Sequence, residues 1–378
     1  MPPTTLDVLL VEPWWGGSHG AWAEGYRAHS THTVRIIGHP PGPWRWRVQG
    51  SAVTLADAVD EACAASRPDV LLVSSMTDLA QLCGLARRSI GSTPVVHYRH
   101  ESQLLYPEAP GARVPRGIEL QEWASLNAAD VVVFNSEFHR RGLFGRLEAL
   151  LADAPDETHT HRLPALEARS IVLPVGVDLS EIRPAAGRLN GPVRILWNHR
   201  WHFDKAPEVF LDAVVEVVDA GADVAIVMCG ADDLPDHRPI ESRLRRLGDR
   251  VVHAGELSRS AYLRAVEGAD VAVSTALQEC FGVAVVEAMA AGAVPLLPDR
   301  LSYPDLVGER FGSAVLYGDG ELVDRLQAVC EDLPAARRAV DGLAEEIRRY
   351  DWSGVAPRYD ELLLEVVGGR RRWIPSAL

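Results

Sequence analysis

Residues 193–230 read VRILWNHRWHFDKAPEVFLDAVVEVVDAGADVAIVMCG, and this stretch decides the fold. It begins with an apolar run (193–198), continues with a helical pattern (207–221) that ends on glycine, and closes with a second apolar run (223–230). Nearly continuous Val, Ile and Leu is typical of strands that are buried on both faces, and a helix between two such strands joins them in parallel. The stretch therefore predicts a β-α-β unit, with Gly221 following the last helical turn.

The same alternation of apolar runs and helical patterns extends over almost the whole chain, which predicts an α/β protein built on parallel sheets. The Pro- and Gly-rich stretch 174–192 interrupts it and predicts a linker between two doubly wound domains, residues 1–180 and 181–351, followed by a C-terminal helical segment, 352–378. The predicted strands are residues 6–12, 34–38, 69–75, 94–98, 130–136, 170–174, 193–198, 223–230, 250–255, 270–275, 293–298 and 313–317.

Length and composition predict a soluble globular protein with the size of an enzyme and two domains of ordinary size. The chain has 378 residues, of which 47% are hydrophobic and 24% charged, and its net charge is −14. Such a charge disfavours indiscriminate binding to phosphate backbones. The five cysteines are scattered without CxxC spacing, which favours reduced thiols over disulfides or a zinc site. The N-terminus lacks a signal sequence or membrane span, so we expect a cytoplasmic protein without membrane insertion.

Lys205 is the only lysine among 38 basic residues, and it follows an apolar run together with Arg200. A compact ammonium with three donors differs from the planar fork of arginine. The two cations are candidates to hold a diphosphate and to stabilise its departure without a metal. The alternative is a surface lysine without a function.

Residues 278–295, QECFGVAVVEAMAAGAVP, carry the strongest functional signal. After a strand that ends at Thr275, a loop carries Glu279, and Gly282 opens a helix toward a capping Gly292. The helix amides favour an anion. Glu287 is placed to accept the hydroxyls of a ribose. The alternative is that both glutamates are ordinary exposed acids.

Residues 12–20, EPWWGGSHG, follow the first strand. Gly16 and Gly17 allow close approach of a ligand to the backbone, and Ser18 is a candidate cap for the next helix, whose amides favour an anion. A simple structural turn is an equally good interpretation.

Two more stretches of the first half carry candidate side chains. After the fourth strand, His100 and Glu101 are candidates for contact with the acceptor or for acid–base catalysis. The alternative is that His100 is a hydrogen-bonded structural histidine and Glu101 a solvated surface residue. In residues 40–50, PPGPWRWRVQG, two tryptophans alternate with two arginines. They are able to stack on a base or sugar, although a loop that packs its own aromatics is the alternative.

The run from Glu279 through Gly282 to Glu287, with the pair Arg200 and Lys205, resembles the family-4 retaining glycosyltransferases. The resemblance implies the GT-B fold: two facing doubly wound (Rossmann-like) domains with an interdomain cleft, and a last helix that packs back on the first domain. It also implies a nucleotide-diphosphate sugar donor and no metal or other cofactor. The implied catalytic residues are His100, Arg200, Lys205 and Glu279. The implied nucleotide-sugar-binding residues are Gly16, Gly17, Arg200, Lys205, Glu279, Cys280, Phe281, Gly282, Val283 and Glu287.

A narrower resemblance covers most of the chain. The motifs EPWWGGSH, PWRWR, HYRHESQLLYP, DVVVFNSEF, WNHRWHFDKAPEVF and ECFGVAVVEA are similar to those of the tRNA-queuosine α-mannosyltransferase family. This resemblance implies transfer of mannose from GDP-mannose to the queuosine of a tRNA, with retention of configuration. The implied acceptor-binding residues are Ser18, His19, Trp44, Arg45, Trp46, Arg47, His100 and Glu101.

Other functions remain open at the level of sequence. The acceptor is queuosine in tRNA or a small molecule, such as a 7-deazaguanine-type nucleoside or a cyclitol. A sugar-nucleotide epimerase or hydrolase would use the donor site and need no acceptor. A two-domain solute-binding protein would share the α/β halves but carry an export signal.

Overall fold

The computed structural model describes residues 5–107, 116–184, 191–231 and 237–369. The chain divides into two compact units. Unit 1 contains the residues up to Gly176 together with those from Trp352 onward, and unit 2 runs from Val177 to Asp351. The chain therefore enters unit 2 once and returns to unit 1 for its last helix. Part of the predicted linker, residues 185–190, lies outside the described residues.

Unit 1 is built on a parallel six-stranded sheet with the order β2-β1-β3-β4-β5-β6. Its central strands are buried on both faces, and Val8 to Val11 of β1 have no exposed surface. This burial explains why these strands read as unbroken apolar runs. The strands are β1 (Asp7–Glu12), β2 (Thr33–Gly38), β3 (Val70–Ser74), β4 (Val95–Arg99), β5 (Val131–Phe134) and β6 (Ser170–Val172).

Helices cover both faces of this sheet. They are α1 (Gly17–His29), α2 (Trp44–Ala65), α3 (Leu79–Leu85), α4 (Arg87–Ile90), α5 (Arg116–Ala128), α6 (Glu137–Ala152), α7 (Leu163–Glu167) and, from the end of the chain, α16 (Trp352–Val367). Helix α16 packs on α1, where the Trp22 indole N–H donates to the Tyr359 hydroxyl at 3.3 Å. The buried Trp352 side chain also contacts Gly25, where a Cβ would lie 2.0 Å from the indole nitrogen.

Unit 2 has a second parallel sheet with the order β12-β11-β10-β7-β8-β9. Its strands are β7 (Val193–Trp197), β8 (Val224–Cys229), β9 (Val251–Gly255), β10 (Val271–Val273), β11 (Val294–Pro298) and β12 (Leu316–Tyr317). Its helices are α8 (Pro207–Asp219), α9 (Arg238–Leu247), α10 (Arg259–Glu267), α11 (Val283–Ala290), α12 (Tyr303–Val315), α13 (Leu322–Glu331), α14 (Leu333–Ala339) and α15 (Leu343–Ile347). Both units are doubly wound α/β layers, as the sequence predicts.

Three local predictions are wrong. The predicted strand 313–317 is helical up to Val315, because α12 continues past its kink at Gly308, and only two residues pair with β11. The strand before the Glu279 loop ends at Val273, not at Thr275. The aromatic stretch PWRWR is not a loop, because α2 begins at Trp44 directly after Pro43.

Two further features concern the chain's environment. Within the described ranges, no helix is both long enough and apolar enough to cross a membrane. All five cysteines are free thiols, which agrees with the prediction from their spacing.

Candidate active site

In unit 2, Lys205 and Glu279 meet because their strands are neighbours. Lys205 closes a 3-10 turn after β7, and Glu279 lies in the loop after β10, the strand that pairs with β7. Carboxyl ends of adjacent parallel strands lie at one edge of a sheet, where ligands of such folds bind. Backbone bonds join the two segments, since the Leu277 amide donates to the Asp204 carbonyl at 2.7 Å.

The Lys205 ammonium is buried and surrounded by acceptors. Its Nζ donates to the Gln278 carbonyl at 2.5 Å and to Glu279 Oε2 at 3.3 Å, and it lies 3.2 Å from Asp204 Oδ2. Burial opposes its charge, but Glu279 and Asp204 outweigh that cost and raise the pKa of Lys205. The same attraction lowers the pKa of Glu279 against the effect of burial, so both groups stay ionised at neutral pH.

Arg200 joins this cluster through Asp204, while the predicted contact of Arg200 and Lys205 with a diphosphate stays a prediction. Its Nη2 lies 3.8 Å from Asp204 Oδ1, and half of its side chain is exposed. Asp204 is buried, and burial alone would raise its pKa. The hydrogen bond with the His202 ring and the charges of Lys205 and Arg200 outweigh burial and lower the pKa of Asp204. One buried carboxylate thus holds two cations at the sheet edge.

His199 is a second buried group beside this cluster. Burial and the nearby Lys205 lower the pKa of His199 to about 4, so the ring is neutral at pH 7. Its Nε2 has no hydrogen-bond partner among the described residues. A neutral imidazole next to a fixed ammonium is able to bind a hydroxyl or phosphate oxygen.

Helix α11 begins at the position that the sequence predicts. Gly282 is its N-cap and has φ +104°, a left-handed conformation that favours glycine, and Gly292 beyond its end has φ +90°. The neighbouring Cys280 and Phe281 are buried, and Val283 is partly buried. The backbone amides of the first turn, more than these side chains, are therefore the groups available to a donor phosphate.

Glu287 lies on α11 in a separate polar network. Its Oε1 accepts from Arg259 Nη1 at 2.8 Å, and its Oε2 accepts from the Tyr262 hydroxyl at 2.5 Å. Tyr262 in turn accepts from Asn198 Nδ2 at 3.1 Å. Glu287 is 7% exposed, so the alternative that it is an ordinary surface acid is wrong. A ribose would have to share or replace the partners that both oxygens already have.

In unit 1, three side chains converge at the carboxyl edge of the sheet: Glu12 at the end of β1, His19 on α1 and His100 after β4. Glu12 has no exposed surface, and its Oε1 lies 3.2 Å from His19 Nδ1. Glu12 Oε2 lies 3.9 Å from His100 Nε2, and the two imidazole rings are 4.2 Å apart. His100 is further fixed by its backbone amide, which donates to Ser75 Oγ at 3.1 Å.

The pKa values of the two histidines of this cluster shift in opposite directions. Burial opposes protonation of His19, but the carboxylate of Glu12 outweighs it and raises the pKa of His19. Burial, together with the nearby His19, His139 and Arg99, lowers the pKa of His100 well below its ordinary value. Near neutral pH the favoured state is therefore an imidazolium at His19, held by Glu12, beside a neutral His100.

The glycine pair at the start of α1 forms a tight turn. A Cβ at Gly16 would lie 2.3 Å from the Pro41 side chain, and Gly17 has φ +53°. Gly16, and not Ser18, is the N-cap of α1, since Ser18 is the second residue of the helix. The predicted capping role of Ser18 is therefore wrong, because the turn places the helix start two residues earlier.

The predicted aromatic and basic group forms the first turn of α2. Trp46 is 65% exposed and Trp44 is 38% exposed, and Arg45 lies over the Trp44 ring at 5.0 Å. Arg47 instead bonds inward, to His39 Nε2 at 3.1 Å and the Pro40 carbonyl at 2.9 Å. Two exposed indoles with one exposed arginine remain available to a partner.

Sequence reasoning missed several residues of both clusters. Glu12 is a charged residue at the end of an otherwise apolar strand, and this contrast could have identified it. Asp204 stands next to Lys205, where it could have been read as a partner. His199, Arg259 and Tyr262 gave no comparable signal, since their roles depend on neighbours from other elements. Lys205 and Glu279, which the sequence analysis placed together in the nucleotide-sugar site, do lie together. So do His19 and His100, which it placed together in the acceptor site. The roles of all four residues stay predictions.

Two family models match successive parts of the chain. Residues 7–177 match the model described as tRNA-queuosine alpha-mannosyltransferase N-terminal. Residues 180–342 match the model described as Glycosyl transferases group 1. The two matches abut between residues 177 and 180, next to the boundary between units 1 and 2.

Characterised relatives agree with these models. The chain is 29% identical over 368 residues to the tRNA-queuosine alpha-mannosyltransferase of Drosophila melanogaster, covering 93% of this chain and 95% of the fly protein. It is 30% identical over 220 residues to a phosphatidyl-myo-inositol mannosyltransferase of Mycobacterium tuberculosis, covering 55% of this chain and 57% of that protein. Full-length similarity is thus found with the fly protein, and partial similarity with the mycobacterial one.

Solved structures are similar over nearly the whole chain. Sucrose-phosphate synthase from Thermosynechococcus elongatus has a TM-score of 0.75 at 15% identity, covering 96% of this chain and 100% of that one. Anabaena HepE in complex with UDP-glucose has a TM-score of 0.68 at 15% identity, covering 94% and 99%. This likeness confirms the predicted GT-B class of two parallel-sheet domains. The chain is a glycosyltransferase in which a region that matches the tRNA-queuosine alpha-mannosyltransferase N-terminal model precedes a region that matches the glycosyl transferases group 1 model.

Proposed function

We propose that this glycosyltransferase transfers mannose from GDP-mannose to queuosine in tRNA, in the cytoplasm and with retention of configuration. The observation that carries the proposal is the match of residues 7–177, essentially all of unit 1 before the chain enters unit 2, to the tRNA-queuosine alpha-mannosyltransferase N-terminal model. The name of a mycobacterial relative, a GDP-mannose-dependent mannosyltransferase that is 25% identical over 312 residues, supports the choice of donor.

In this proposal the donor binds to unit 2. Arg200 and Lys205 stabilise the negative charge that grows on the departing diphosphate, and the first-turn amides of α11 add to it. Glu287 binds the ribose, and Glu279 binds hydroxyls of the sugar. Arg200 and Lys205 neutralise the leaving diphosphate, as a metal ion does in other transferases. We therefore propose that the reaction needs no metal.

Retention requires that the new bond forms on the face that the leaving group occupies. No residue of either cluster is assigned as a covalent carboxylate nucleophile of the kind used by retaining hydrolases. We therefore propose that the bond between the sugar's anomeric carbon and the diphosphate oxygen breaks as the acceptor oxygen attacks that carbon. The acceptor's proton passes to the leaving phosphate. His100, neutral at pH 7, positions the reacting groups.

The experiment is a transfer assay read by mass spectrometry. Purified protein and GDP-mannose are incubated with queuosine-containing tRNA, with the same tRNA lacking queuosine, and with free queuosine nucleoside, each with and without EDTA. We expect one hexose on the queuosine-containing tRNA alone, unaffected by EDTA. GDP release without a hexosylated product, or activity that EDTA abolishes, would contradict the proposal.

A second candidate is the same transfer onto a small-molecule nucleoside. The net charge of −14 favours it, since an acidic protein attracts the tRNA backbone poorly. The exposed Trp44, Arg45 and Trp46 favour the RNA, because bases stack on aromatic side chains next to a cation. Acceptor affinity that weakens steeply with salt indicates tRNA, and a flat response indicates the small molecule.

A further inference from the structure

Three tryptophans of unit 1 expose much of their rings to solvent. Trp46 is 65% exposed, Trp15 is 40% exposed and Trp44 is 38% exposed. Tryptophan usually buries most of its large apolar surface, although a single exposed apolar side chain needs no explanation. Several indoles that share one surface instead mark a place where a partner binds.

A short segment holds these tryptophans close to one another. The Trp15 ring lies on the end of β2, since a Cβ at Gly38 would clash with the ring. Three residues further along the chain, Pro41 packs against Gly16, the residue that follows Trp15. Trp44 follows Pro41 by three residues, a step that spans at most about 11 Å. The tryptophan surface is defined by the residues Trp15, Trp44, Arg45 and Trp46.

Hydrogen bonds fix the same segment in place. The Trp15 amide donates to the His39 carbonyl at 2.8 Å. The Arg47 guanidinium bonds to His39 Nε2 at 3.1 Å and donates to the Pro40 carbonyl at 2.9 Å. Because the segment is already ordered, a ligand that binds there loses little affinity to the ordering of the protein.

The charge around the tryptophan surface is positive, in contrast to the chain as a whole. Residues 25–56 contain four arginines and no acidic residue, although the net charge of the chain is −14. Two of the four arginines pair with carboxylates. Arg45 and Arg47 have no acidic partner among the residues that the structure describes. Their charge is therefore uncompensated and attracts an anionic partner.

Indoles next to arginines match one class of partner, a nucleic acid with unpaired bases. Each unpaired base offers a flat face that stacks on an indole, and its phosphate attracts the arginines. A paired A-form helix hides those faces and offers its backbone and groove edges. A membrane is a poorer match, because α2 turns its apolar side chains Val48, Leu55 and Val59 into the core and not toward lipid.

The tryptophan surface lies at the same edge of the sheet as the cluster of Glu12, His19 and His100. Glu12 ends β1 and Gly38 ends β2, and these two residues are paired in the sheet. Trp15 also lies between Glu12 and His19 in the sequence. Bases that stack on the tryptophan surface would therefore hold a neighbouring nucleoside beside this cluster.

We propose that the tryptophan surface stacks unpaired bases of the acceptor RNA, and that it binds them whether or not queuosine is present. This inference rests on the proposed function and divides recognition into two parts. The tryptophan surface captures the unpaired loop, and the cluster of Glu12, His19 and His100 contacts the modified nucleoside. Stacking contributes about 5- to 150-fold in affinity for each base, the equivalent of about 1–3 kcal/mol.

The first test measures binding to the full-length wild-type protein without a sugar donor. The probes are a stem-loop RNA with an unmodified loop, a fully paired RNA of the same length, and vesicles of phosphatidylcholine and phosphatidylserine. We expect the stem-loop to bind at least about 10-fold more tightly than the paired RNA, and no binding to the vesicles. Equal affinity for the two RNAs, or binding to the vesicles alone, would overturn the proposal.

This measurement needs neither queuosine nor transfer. A protein that binds the unmodified stem-loop but fails to glycosylate queuosine-containing tRNA would sink only the proposed function. A protein that glycosylates this tRNA but binds paired RNA and the stem-loop equally would sink only the inference about the tryptophan surface.

The second test compares Trp46→Ala with Trp46→Phe, which keeps an aromatic ring. We expect the alanine variant to bind the stem-loop about 5- to 150-fold more weakly than wild type, and the phenylalanine variant to retain most of the affinity. Val252 of unit 2 is 66% exposed and provides the matched control Val252→Ala, for which we expect wild-type affinity. Wild-type affinity in Trp46→Ala, at an unfolding temperature equal to that of wild type, would contradict the proposal.

Discussion

Lys205 is the only lysine of the chain, and its surroundings explain why arginine does not stand there. Three acceptors lie within 3.3 Å of Nζ, namely the Gln278 carbonyl, Glu279 and Asp204. This matches the three donors of an ammonium. The planar guanidinium presents its donors in a fixed fork, which does not match three acceptors placed around one nitrogen atom. Lys205 is buried, so the alternative of a surface lysine is wrong. Its catalytic role stays a prediction.

We predict that Lys205→Met, which keeps the chain length and removes the charge, lowers kcat about 100- to 1,000-fold. A lost contact to transition-state charge costs about 3–4 kcal/mol. Asp204 and Glu279 would also lose their buried partner, so the unfolding temperature falls as well. Lys205→Arg should not restore activity. Single-turnover kinetics with GDP-mannose check this, and wild-type turnover in Lys205→Met would contradict it.

At the scale of the element, one carboxylate of α16 makes four of the hydrogen bonds that join this helix to α1 and the residues that follow α1. Asp360 Oδ1 accepts from the Tyr26 hydroxyl at 2.9 Å and Ser30 Oγ at 2.6 Å. Its Oδ2 accepts from the Thr31 amide and hydroxyl, both at 2.7 Å. These four bonds outweigh the opposing effect of burial and lower the pKa of Asp360. These bonds thus join two segments of the chain that are more than 300 residues apart in sequence.

We predict that Asp360→Asn loosens α16 and the end of α1. An amide in place of one carboxylate oxygen leaves buried donors unpaired, which costs about 1–3 kcal/mol. Hydrogen exchange in these two helices should accelerate roughly 10- to 100-fold, since local opening becomes easier. The exposed neighbour provides the control Glu361→Gln, for which we expect wild-type exchange. Equal protection of α1 in both variants would refute the prediction.

At the scale of the whole molecule, four buried histidines make stability depend on pH. Burial lowers the pKa of His97 to about 3 and of His199 to about 4, and it lowers those of His100 and His139 well below normal. Each ring stays neutral in the folded state while its unfolded counterpart takes up a proton near pH 6.5. The unfolded state therefore binds more protons below pH 6.5, and stability falls with falling pH.

We predict that the unfolding temperature drops steadily between pH 6.5 and about 4. Each histidine contributes roughly 1.4 kcal/mol per pH unit within its own window. His19 acts in the opposite sense, because its raised pKa gives stability that is present below pH 6.5 and is lost as pH rises through the folded value. Calorimetry across this range checks the slope, and exposed His161 supplies the control His161→Gln. A flat profile from pH 7 to 4.5 would refute the prediction.

The predictions from sequence agree with the structure where a short stretch of residues is enough to specify the local conformation. Strands such as β1 and β8 were predictable, because burial on both faces requires unbroken apolar runs. The turn at Gly282 was predictable because its left-handed backbone favours glycine. The run 313–317 was not, because a short apolar run fits a buried helix end as well as a strand.

The amino-acid sequence by itself determined the two doubly wound domains, the placement of Lys205 and Glu279 after two strands of the second domain, and the motifs of the glycosyltransferase family. These features depend on periodicity and on residues next to strand ends. Only the tertiary structure decided that Glu12 holds His19 beside His100, that Asp204 joins Arg200 to Lys205, and that the Trp15 ring lies on the end of β2. Each of these groupings depends on strand order and burial, which bring distant residues together. Neither can be predicted from any single segment of the sequence.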